Sequence, residues 1–582
     1  MDSYRFGTVD YTVFLGVTII SIAIGVYFGF IKKTKRESDA TPPERSHQIL
    51  GSKRMDEYLM GSRSLKVFPV GMSLIASCLS AIAIIGTPSE IYNYGTQYSL
   101  VVVAIILEGL IVSYVYLPVF SALQVSSSYE YLGMRFHSVI RSIVSIIFVL
   151  DVILYLPLLV YLPALALNQV SGLSLYLVEV STIVVCVTYT LLGGLKAVVH
   201  TDIWQVVIMF VSVLVVTILA TCYIDDGAEF FEGLKQGGRL VFLNIDASPY
   251  ARHTVWSVII GGTFFWTSLS AVNQTAVHRY MSLPSLKMAR AAIALKVTGA
   301  VFFTSLVCFL GLLIFNAYKD CDPLSAGLIK NDDQLVPLFV VNHLGHIYGM
   351  PGLFIAGVFG ASLSSLSMYL NSTSLVILQD IVRACFKMQP GERASTVLVK
   401  SSVVVLGILA FAMVFLLEKV SGILAVSVSL AAIAASSTFG IFTLGMLVPW
   451  ANTIGAAVGG ITCVLITGWI SFGSQVAAAS GQLNSQRLPV SVEGCLGNAT
   501  ISEKDWVDEE DVFPLYRLSY HWINPIGVLT VVIVGSLVSL VTKPTDVRTL
   551  DSNLISPVIH RFLPKECFKV RSHHEVDATN IC

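Results

Sequence analysis

The sequence predicts an all-α polytopic membrane protein. The chain is 55% hydrophobic and only 13% charged, whereas a soluble globular protein carries about 25% charged residues. Apolar runs of about 20 residues, the length that crosses a hydrocarbon core about 30 Å thick, recur along its whole length and predict about 13 transmembrane helices. The formal net charge is −1, which gives no overall field for binding nucleic acid. The bilayer is therefore the expected solvent, and we expect no nucleic-acid partner.

The apolar runs define the predicted spans, numbered here in chain order. They lie near 9–31, 67–92, 98–123, 138–167, 174–193, 202–224, 254–272, 290–317, 352–382, 397–417, 422–448, 453–473 and 524–542. The first run begins around Asp10, exceeds the length of a signal-peptide core and has no A-x-A site after it. It therefore predicts a retained transmembrane helix rather than a cleaved signal peptide.

The charges of the loops predict how the chain is oriented. Basic residues gather in 32–66, 272–289 and 383–400, which the positive-inside rule places in the cytoplasm. Loops 225–253 and 474–523 are acidic and fall on the outside. An odd number of spans then gives a multi-pass protein, expected in the plasma membrane, with an extracellular N-terminus and a cytoplasmic C-terminus. The outer loop holds a sequon at Asn498, the predicted glycosylation site.

The cysteines give no sign of a shared framework. The chain has 10 of them, scattered, with no C-x-x-C pair and no Cys/His cluster. This distribution argues against a disulfide scaffold and against a transition-metal site. No P-loop occurs, so ATP-driven chemistry has no support in the sequence. No nucleophile–base pair or cofactor motif indicates an enzyme.

Span 2 is rich in small and hydroxyl residues. Residues 71–81 read GMSLIASCLSA, and GTPSE follows at 86–90. Small residues allow a helix to unwind, and unwound backbone at membrane depth presents carbonyl oxygens to a cation. A close helix–helix contact through small residues is the alternative, and the pattern alone gives the two equal weight.

Span 9 is the second hydroxyl-rich segment. Residues 361–373 read ASLSSLSMYLNST. Ser364 and Ser365 are about 100° apart around a helix, so both can border one site. Hydroxyls are neutral oxygen ligands, which suit a monovalent ion. The alternative is hydrogen bonding between helices, worth about 0.6 kcal/mol for each bond.

Three further features stand out. Gly193 and Gly194 are expected to end span 5 and Asp202 to open span 6 at the inner face, where an acid is also an ordinary helix cap. The run 273–280, NQTAVHRY, follows span 7. Asp151 lies deep in span 4, where an acid is functional by default and a structural pair is the alternative.

These runs resemble the sodium/solute symporter family over roughly residues 10–545. The resemblance rests on GG-x-x-AV-x-x-TD-x-x-Q at 193–205, NQ-x-x-x-x-RY at 273–280 and YLMGSR at 58–63. Within that family, GTPSEIYNYG at 86–95 and ALN at 166–168 are similar to the monocarboxylate, multivitamin and iodide branch rather than to the sugar branch.

The resemblance implies a LeuT-like five-plus-five inverted repeat formed by spans 2–6 and 7–11. Broken helices 2 and 7 would flank a site at the membrane midplane. The regions would be an N-terminal helix with the first cytoplasmic loop (1–66), a transport core (67–448), additional helices (449–542) and a cytoplasmic tail (543–582). The two repeats would occupy 67–224 and 254–448, and the additional helices would include the glycosylated loop 474–523.

The resemblance also implies which residues form the site. Sodium is expected at the carbonyls of Ala76, Leu79 and Ala361 and at the hydroxyls of Ser364 and Ser365. The residues expected beside the solute are Ser77, Cys78, Ser80, Trp266 and Ser270. The positions expected to serve coupling or structure are Asp151, Gly193, Gly194, Asp202, Gln205, Asn273, Gln274 and Arg279.

The implied function is sodium-coupled import of a small organic anion, such as a monocarboxylate, by alternating access. Sodium would be the coupling ion, with no other cofactor and no enzymatic activity. Spans 2, 7 and 9 contain no deep Arg or Lys, so an anion would depend on half-helix N-termini, hydroxyls and the bound sodium.

The chain also departs from the pattern of that branch. Ser365 stands where Thr is usual, His278 replaces Gln, Asp151 replaces a neutral polar residue, and the aromatic gate expected near 269–270 is missing, with Trp266 one turn earlier. Substrate identity therefore stays open. The alternatives are a sodium-dependent vitamin transporter for biotin or pantothenate, an inorganic anion transporter, and an uncoupled solute sensor or channel.

Overall fold

The computed structural model describes residues 6–27, 65–125, 127–417, 423–483, 487–495 and 512–563. Within these ranges all regular secondary structure is helical. Ten of the described helices are long and apolar enough to cross a membrane, and one bent pair makes an eleventh. Two shorter apolar helices, Leu175–Leu191 and Ser257–Ala271, coincide with predicted spans 5 and 7. Every predicted span thus has a helix at its position, while the count of 13 stays a prediction because these two are short for a crossing.

The helices used below are numbered in chain order. They are α1 Thr8–Val26, α2 Val67–Cys78, α3 Ala81–Tyr94, α4 Thr96–Leu123, α5 Ser138–Ser171, α6 Leu175–Cys222, α7 Ser257–Ala271, α8 Gln274–Met281, α9 Leu286–Ala317, α10 Met350–Cys385, α11 Glu392–Leu417, α12 Ile423–Leu447, α13 Thr453–Ala479 and α14 Ile523–Val541. Short helices at Glu130–Arg135, Gly227–Gln236 and Leu335–Leu344 lie in the connecting loops.

The break in span 2 lies between α2 and α3. The two helices meet at an angle of 53°, and Leu79 between them is extended, with φ −110° and ψ 115°. Ser80 then starts α3, and its hydroxyl accepts a hydrogen bond from the Ile82 N–H at 3.3 Å. Close packing is present as well, because a Cβ at Gly71 would lie 2.5 Å from Leu295 Cδ2. Span 2 therefore both unwinds at Leu79 and packs tightly against α9.

The expectation that helix 7 is broken was wrong: α7 continues from Ser257 to Ala271, and its first turn, Ser257–Gly261, is π-helical. A π-turn displaces the backbone register locally and recurs at functional sites. A Cβ at Gly261 would lie 2.3 Å from the His521 carbonyl oxygen. The first turn of α7 is therefore in close contact with the chain that leads into α14.

The structure corrects the prediction for Gly193, Gly194 and Asp202. Helical backbone continues from Leu175 to Cys222, so the glycine pair ends no helix, and Asp202 lies inside α6 rather than at its N-terminus. A glycine costs a helix interior only about 1 kcal/mol relative to alanine, which surrounding contacts can override. The two apolar parts of α6, Leu175–Leu191 and Val198–Cys222, coincide with predicted spans 5 and 6.

A disulfide joins Cys321, after α9, to Cys495, after α13. This bridge was not predictable from the sequence, because its cysteines are 174 residues apart and follow no spacing pattern. Disulfides persist in oxidising compartments, which agrees with the predicted extracellular position of loop 474–523. Asn498 lies outside the described residues, so its glycosylation stays a prediction, as does the division into regions.

Candidate ion and solute site

A cavity lies among α2, α3, α4, α5, α7, α8, α9, α10 and α12. Its wall contains all the residues expected beside the solute, namely Ser77, Cys78, Ser80, Trp266 and Ser270. Leu79 and Ser365, two of the expected sodium ligands, also line it. The structure thus brings the break in span 2, the middle of α7 and the hydroxyl-rich part of α10 to one place.

The expected sodium ligands meet where α2 unwinds beside α10. The Ser365 hydroxyl donates to the Ala76 carbonyl at 3.3 Å, and the Ser364 hydroxyl donates to the Ala361 carbonyl at 2.9 Å. All five expected ligands, Leu79 included, are at most 2% exposed. The oxygen atoms here are neutral and buried, which is the ligand chemistry that a dehydrated monovalent cation requires.

Neighbouring contacts fix this part of α10. The Tyr189 hydroxyl on α6 donates to the Leu363 carbonyl at 2.6 Å, and the Ser367 hydroxyl donates to the Ser364 carbonyl at 3.0 Å. A Cβ at Gly360 would lie 3.5 Å from the Gln205 carbonyl oxygen, so α6 and α10 approach closely beside buried Gln205. The hydroxyls of Ser364 and Ser365 are therefore presented by a helix that its neighbours hold in place.

The two sequence motifs meet away from the cavity wall in a buried ion pair. Arg279 Nη2 on α8 lies 3.3 Å from Asp202 Oδ2 on α6. The Ser73 hydroxyl on α2 accepts from Arg279 Nε at 2.7 Å and donates to Asp202 Oδ2. This network ties α2, α6 and α8 together, so Asp202 is a pairing residue and not a helix cap.

The amides of the second motif have structural partners. The Asn273 side chain caps α8 by accepting from the Thr275 N–H at 3.0 Å. The Gln274 side-chain oxygen accepts from the Ser128 N–H at 2.7 Å and from the Ser128 hydroxyl at 2.9 Å. Both amides therefore order the chain that follows α7, and neither lines the cavity described above.

Asp151 lies in the cavity wall on α5, together with Tyr155. The Tyr155 ring packs edge-on against Tyr369 of α10, with centroids 5.3 Å apart. The position of Asp151 favours a role along the solute pathway over a purely structural pair.

Sequence reasoning missed a buried lysine in the same cavity wall. Lys296 Nζ on α9 lies 2.9 Å from Glu108 Oε2 on α4 and donates to Ser270 Oγ at 2.6 Å. The signal was present, since a Lys and a Glu inside apolar runs are expensive and mark function. The expectation that no deep Arg or Lys meets the solute concerned only spans 2, 7 and 9, whereas this pair lies on spans 3 and 8.

A second missed group lies at the end of the cavity that the loop charges predict to face outside, and it is called the outer cluster: Glu90, Arg252, His253, Tyr520 and His521. Arg252 donates to both Glu90 oxygens, at 2.6 and 3.0 Å, and His253 Nε2 lies 2.8 Å from Glu90 Oε1. Tyr520 and His521 line the cavity. Burial lowers the pKa of the His253 imidazole, against the opposing effect of the Glu90 carboxylate. The outer cluster joins α3, the segment before α7 and the segment before α14.

Known proteins share this architecture along most of the chain. The profile of the sodium:solute symporter family matches residues 58–463. Sodium-coupled monocarboxylate transporter 1 of Mus musculus is 35% identical, and the alignment covers 97% of this chain and 92% of that protein. A putative sodium-dependent multivitamin transporter of Drosophila melanogaster is also 35% identical, with 92% and 86% covered.

A solved structure has the same fold. The substrate-bound, outward-open state of a Na⁺-coupled sialic acid symporter matches with a TM-score of 0.71 at 24% identity. The match covers 93% of this chain and 99% of that one. The fold is therefore the LeuT-like arrangement that the sequence predicted.

Proposed function

The chain belongs to the sodium:solute symporter family, and from this premise we propose that the solute it imports with sodium is a small carboxylate, such as a monocarboxylate. Sodium-coupled symport across a membrane is the activity of the family. The observation that carries the choice of solute is the cavity, where neutral oxygen ligands for a cation lie together with a buried ammonium group. We propose no enzymatic role and no cofactor besides the coupling ion.

The expected sodium ligands join two helices that must respond to the ion. Ala76 is on α2 and Ser365 is on α10, so an ion bound between them links the two elements. A ligand shifts a conformational equilibrium only if its affinity differs between the two states. Separation of α2 from α10 would dismantle the ion site, which gives sodium the required difference in affinity.

The charge of the solute decides how much work sodium can do. An anion carried with one sodium is electroneutral, so only the sodium gradient drives uptake, about 1.4 kcal/mol for a tenfold gradient. A second sodium adds that amount again and makes one net charge move, worth about 1.4 kcal/mol at about 60 mV. Uphill uptake beyond about tenfold therefore requires more than one sodium for each anion.

The relatives support a carboxylate over a sugar. Similar proteins carry the names of monocarboxylate and multivitamin transporters, and the multivitamins considered above, biotin and pantothenate, are also carboxylates. An inorganic anion would use the same ammonium group, and an uncoupled sensor or channel would keep the same cavity. These are the alternatives that an uptake experiment has to separate.

The test is uptake of labelled butyrate, nicotinate, biotin, pantothenate, iodide and glucose by cells that express the chain, in sodium and in choline medium. We expect saturable, sodium-dependent uptake of at least one small carboxylate and none of glucose. Uptake of glucose alone would exclude the proposed solute class. Sodium-dependent currents without stoichiometric solute flux would indicate the sensor or channel instead.

A further inference from the structure

Lys296 and Glu108 form their ion pair deep in the membrane. Each lies ten or more residues from both ends of its helix, α9 and α4 respectively, or about 15 Å along the axis. Lys296 is 2% exposed and Glu108 is fully buried. A charged side chain at the centre of a bilayer costs about 2.5–3.5 kcal/mol on insertion scales, and a buried ion pair is often no more stabilising than apolar residues of similar volume. The stability of the fold therefore does not account for this pair.

Close helix packing holds Lys296 in place. A Cβ at Gly109, next to Glu108, would lie 2.4 Å from Val297 Cγ2, so α4 and α9 touch at the ion pair. On the other side of Lys296, Leu295 packs against Gly71 of α2. The two residues that flank Lys296 in sequence, Leu295 and Val297, thus each pack against a glycine. This packing sets the rotation of α9 and directs the Lys296 side chain toward α4 and α7.

The ammonium group has more donors than these two partners use. A lysine offers three N–H donors; one points to Glu108 Oε2 and one to Ser270 Oγ. Lys296 and Ser270 line the cavity, whereas Glu108 lies behind them. Among the described residues of the cavity wall, Lys296 is the one lysine, and there is no arginine.

We propose that Lys296 is the specificity-determining residue that binds the anionic group of the solute, and that Glu108 is a positioning residue that fixes the ammonium and moderates its attraction. The inference rests on the proposed function and deepens it. The third N–H of Lys296 binds a carboxylate oxygen of the solute. Glu108 keeps the wall neutral before the solute arrives, so the ammonium attracts an anion weakly enough to release it on the inner side.

The two members of the pair therefore affect transport in opposite directions. Lys296→Met keeps the length of the side chain and removes its charge, so the KM for nicotinate and butyrate rises about tenfold or more, the scale of a lost charge-assisted hydrogen bond. Glu108→Gln leaves the ammonium without its counter-ion, so the solute takes that place, and both KM and the maximal rate fall severalfold. Half-maximal sodium stays within about twofold in both variants, because neither residue belongs to the expected sodium ligands.

The experiment measures labelled nicotinate and butyrate uptake at matched surface level for Lys296→Met, Glu108→Gln and the double variant K296M/E108Q. Unlabelled nicotinamide, the neutral analogue of nicotinate, serves as competitor. Nicotinamide should inhibit nicotinate uptake poorly in wild type. It should inhibit that uptake relatively better in the variants that lack Lys296. The control is Lys319→Met, which removes the lysine of an exposed ion pair with Glu229 and should leave KM unchanged.

The double variant guards against misfolding, since it leaves no unpaired charge. A KM for nicotinate and butyrate that is about tenfold or more above wild type in K296M/E108Q supports the inference, even if Lys296→Met alone fails to reach the surface. A double variant with the wild-type KM overturns it, and carboxylate uptake by wild type would then leave the proposed function intact. If wild type takes up no carboxylate, the proposed function and this inference both fall.

Discussion

Ser365 makes the contact that joins the two halves of the proposed sodium site. Its hydroxyl is buried and lies 3.3 Å from the Ala76 carbonyl. Ser365→Ala removes one oxygen ligand in a site where a lost polar partner is expensive, so we expect half-maximal sodium to rise severalfold or uptake to disappear. Ser365→Thr keeps the oxygen and should be tolerated. The measurement is sodium activation of uptake at matched surface level.

Ser367→Ala is the control for Ser365, because its hydroxyl is equally buried but donates to the Ser364 carbonyl. We expect a milder effect on the sodium curve. If Ser364→Ala and Ser365→Ala both leave that curve unchanged, the chain does not use this site, and the uncoupled sensor or channel becomes the better account.

Single residues differ in how far the sequence reveals them. The position of Ser364 and Ser365 beside the break in span 2 was expected, because the helical period puts adjacent positions near one site and the family resemblance brings spans 2 and 9 together. Their binding of sodium stays a prediction. Lys296 and Glu108 were visible as charges in apolar runs, yet their partnership was not, since 188 residues separate them. Pairing across helices depends on how α4 and α9 pack. Gly109 allows their close approach, but no local sequence pattern predicts it.

At the scale of helices, the outer cluster connects three segments at one end of the cavity. It joins α3, the segment before α7 and the segment before α14 through Glu90, Arg252 and Tyr520. The Arg252 guanidinium lies 4.0 Å from the Tyr94 ring centroid in addition to its two bonds to Glu90. Alternating access requires elements on one side of the cavity to separate, so weakening this cluster should favour opening toward the outside.

Arg252→Gln should therefore expose the cavity to reagents applied outside the cell. Cys78 is a native reporter, a free cysteine in the cavity wall. Both proteins carry Cys222→Ala, which removes an exposed cysteine. We expect a membrane-impermeant thiol reagent to modify Cys78 several times faster in the Arg252→Gln variant than in the parent that keeps Arg252. The readout is the loss of uptake after treatment with the reagent. When Cys78→Ala is combined with Arg252→Gln, the reagent should no longer reduce uptake.

Arg487→Gln is the matched control for Arg252→Gln. It breaks the Arg487–Asp332 ion pair, 2.7 Å long and partly exposed, and neither residue lines the cavity. The rate at which the reagent modifies Cys78 should be the same in Arg487→Gln as in the parent protein that keeps Arg487. Equal rates for Arg252→Gln and its parent would show that the outer cluster does not hold the outer side closed.

The sequence located helices better than it located their ends. The pattern in span 2 permitted a break but did not require one, because small and hydroxyl residues allow either unwinding or close helix packing, and span 2 does both at and before Leu79. The glycine pair at 193–194 has a similar composition, yet α6 stays helical there. Local propensity differences of about 1 kcal/mol are smaller than the packing terms that decide such cases, so composition alone could not separate the two segments.

At the scale of the whole molecule, span positions were predictable because the bilayer sets their length, whereas contacts between loops were not. The Cys321–Cys495 disulfide depends on the meeting of two loops that lie far apart in sequence. The start of the C-terminal tail is another such contact. The Ser556 hydroxyl donates to the Val115 carbonyl at 2.7 Å, and the Tyr131 hydroxyl donates to the Leu554 carbonyl at 3.1 Å, which places the tail beside the C-terminal half of α4.

These contacts and the loop charges agree on one orientation, which yields the last prediction. The disulfide requires an oxidising side and holds loop 474–523, the loop of Asn498, whereas the tail packs on the opposite, basic side. Asn498→Gln should therefore remove all glycosidase-sensitive mass, and a C-terminal epitope should be detected only after cells are permeabilised. Asn484→Gln changes the same loop outside any sequon and should leave the mass shift intact. A glycan that survives Asn498→Gln, or an epitope reached on intact cells, would reverse the assignment of sides, and the outer cluster would then have to be placed at the cytoplasmic end of the cavity.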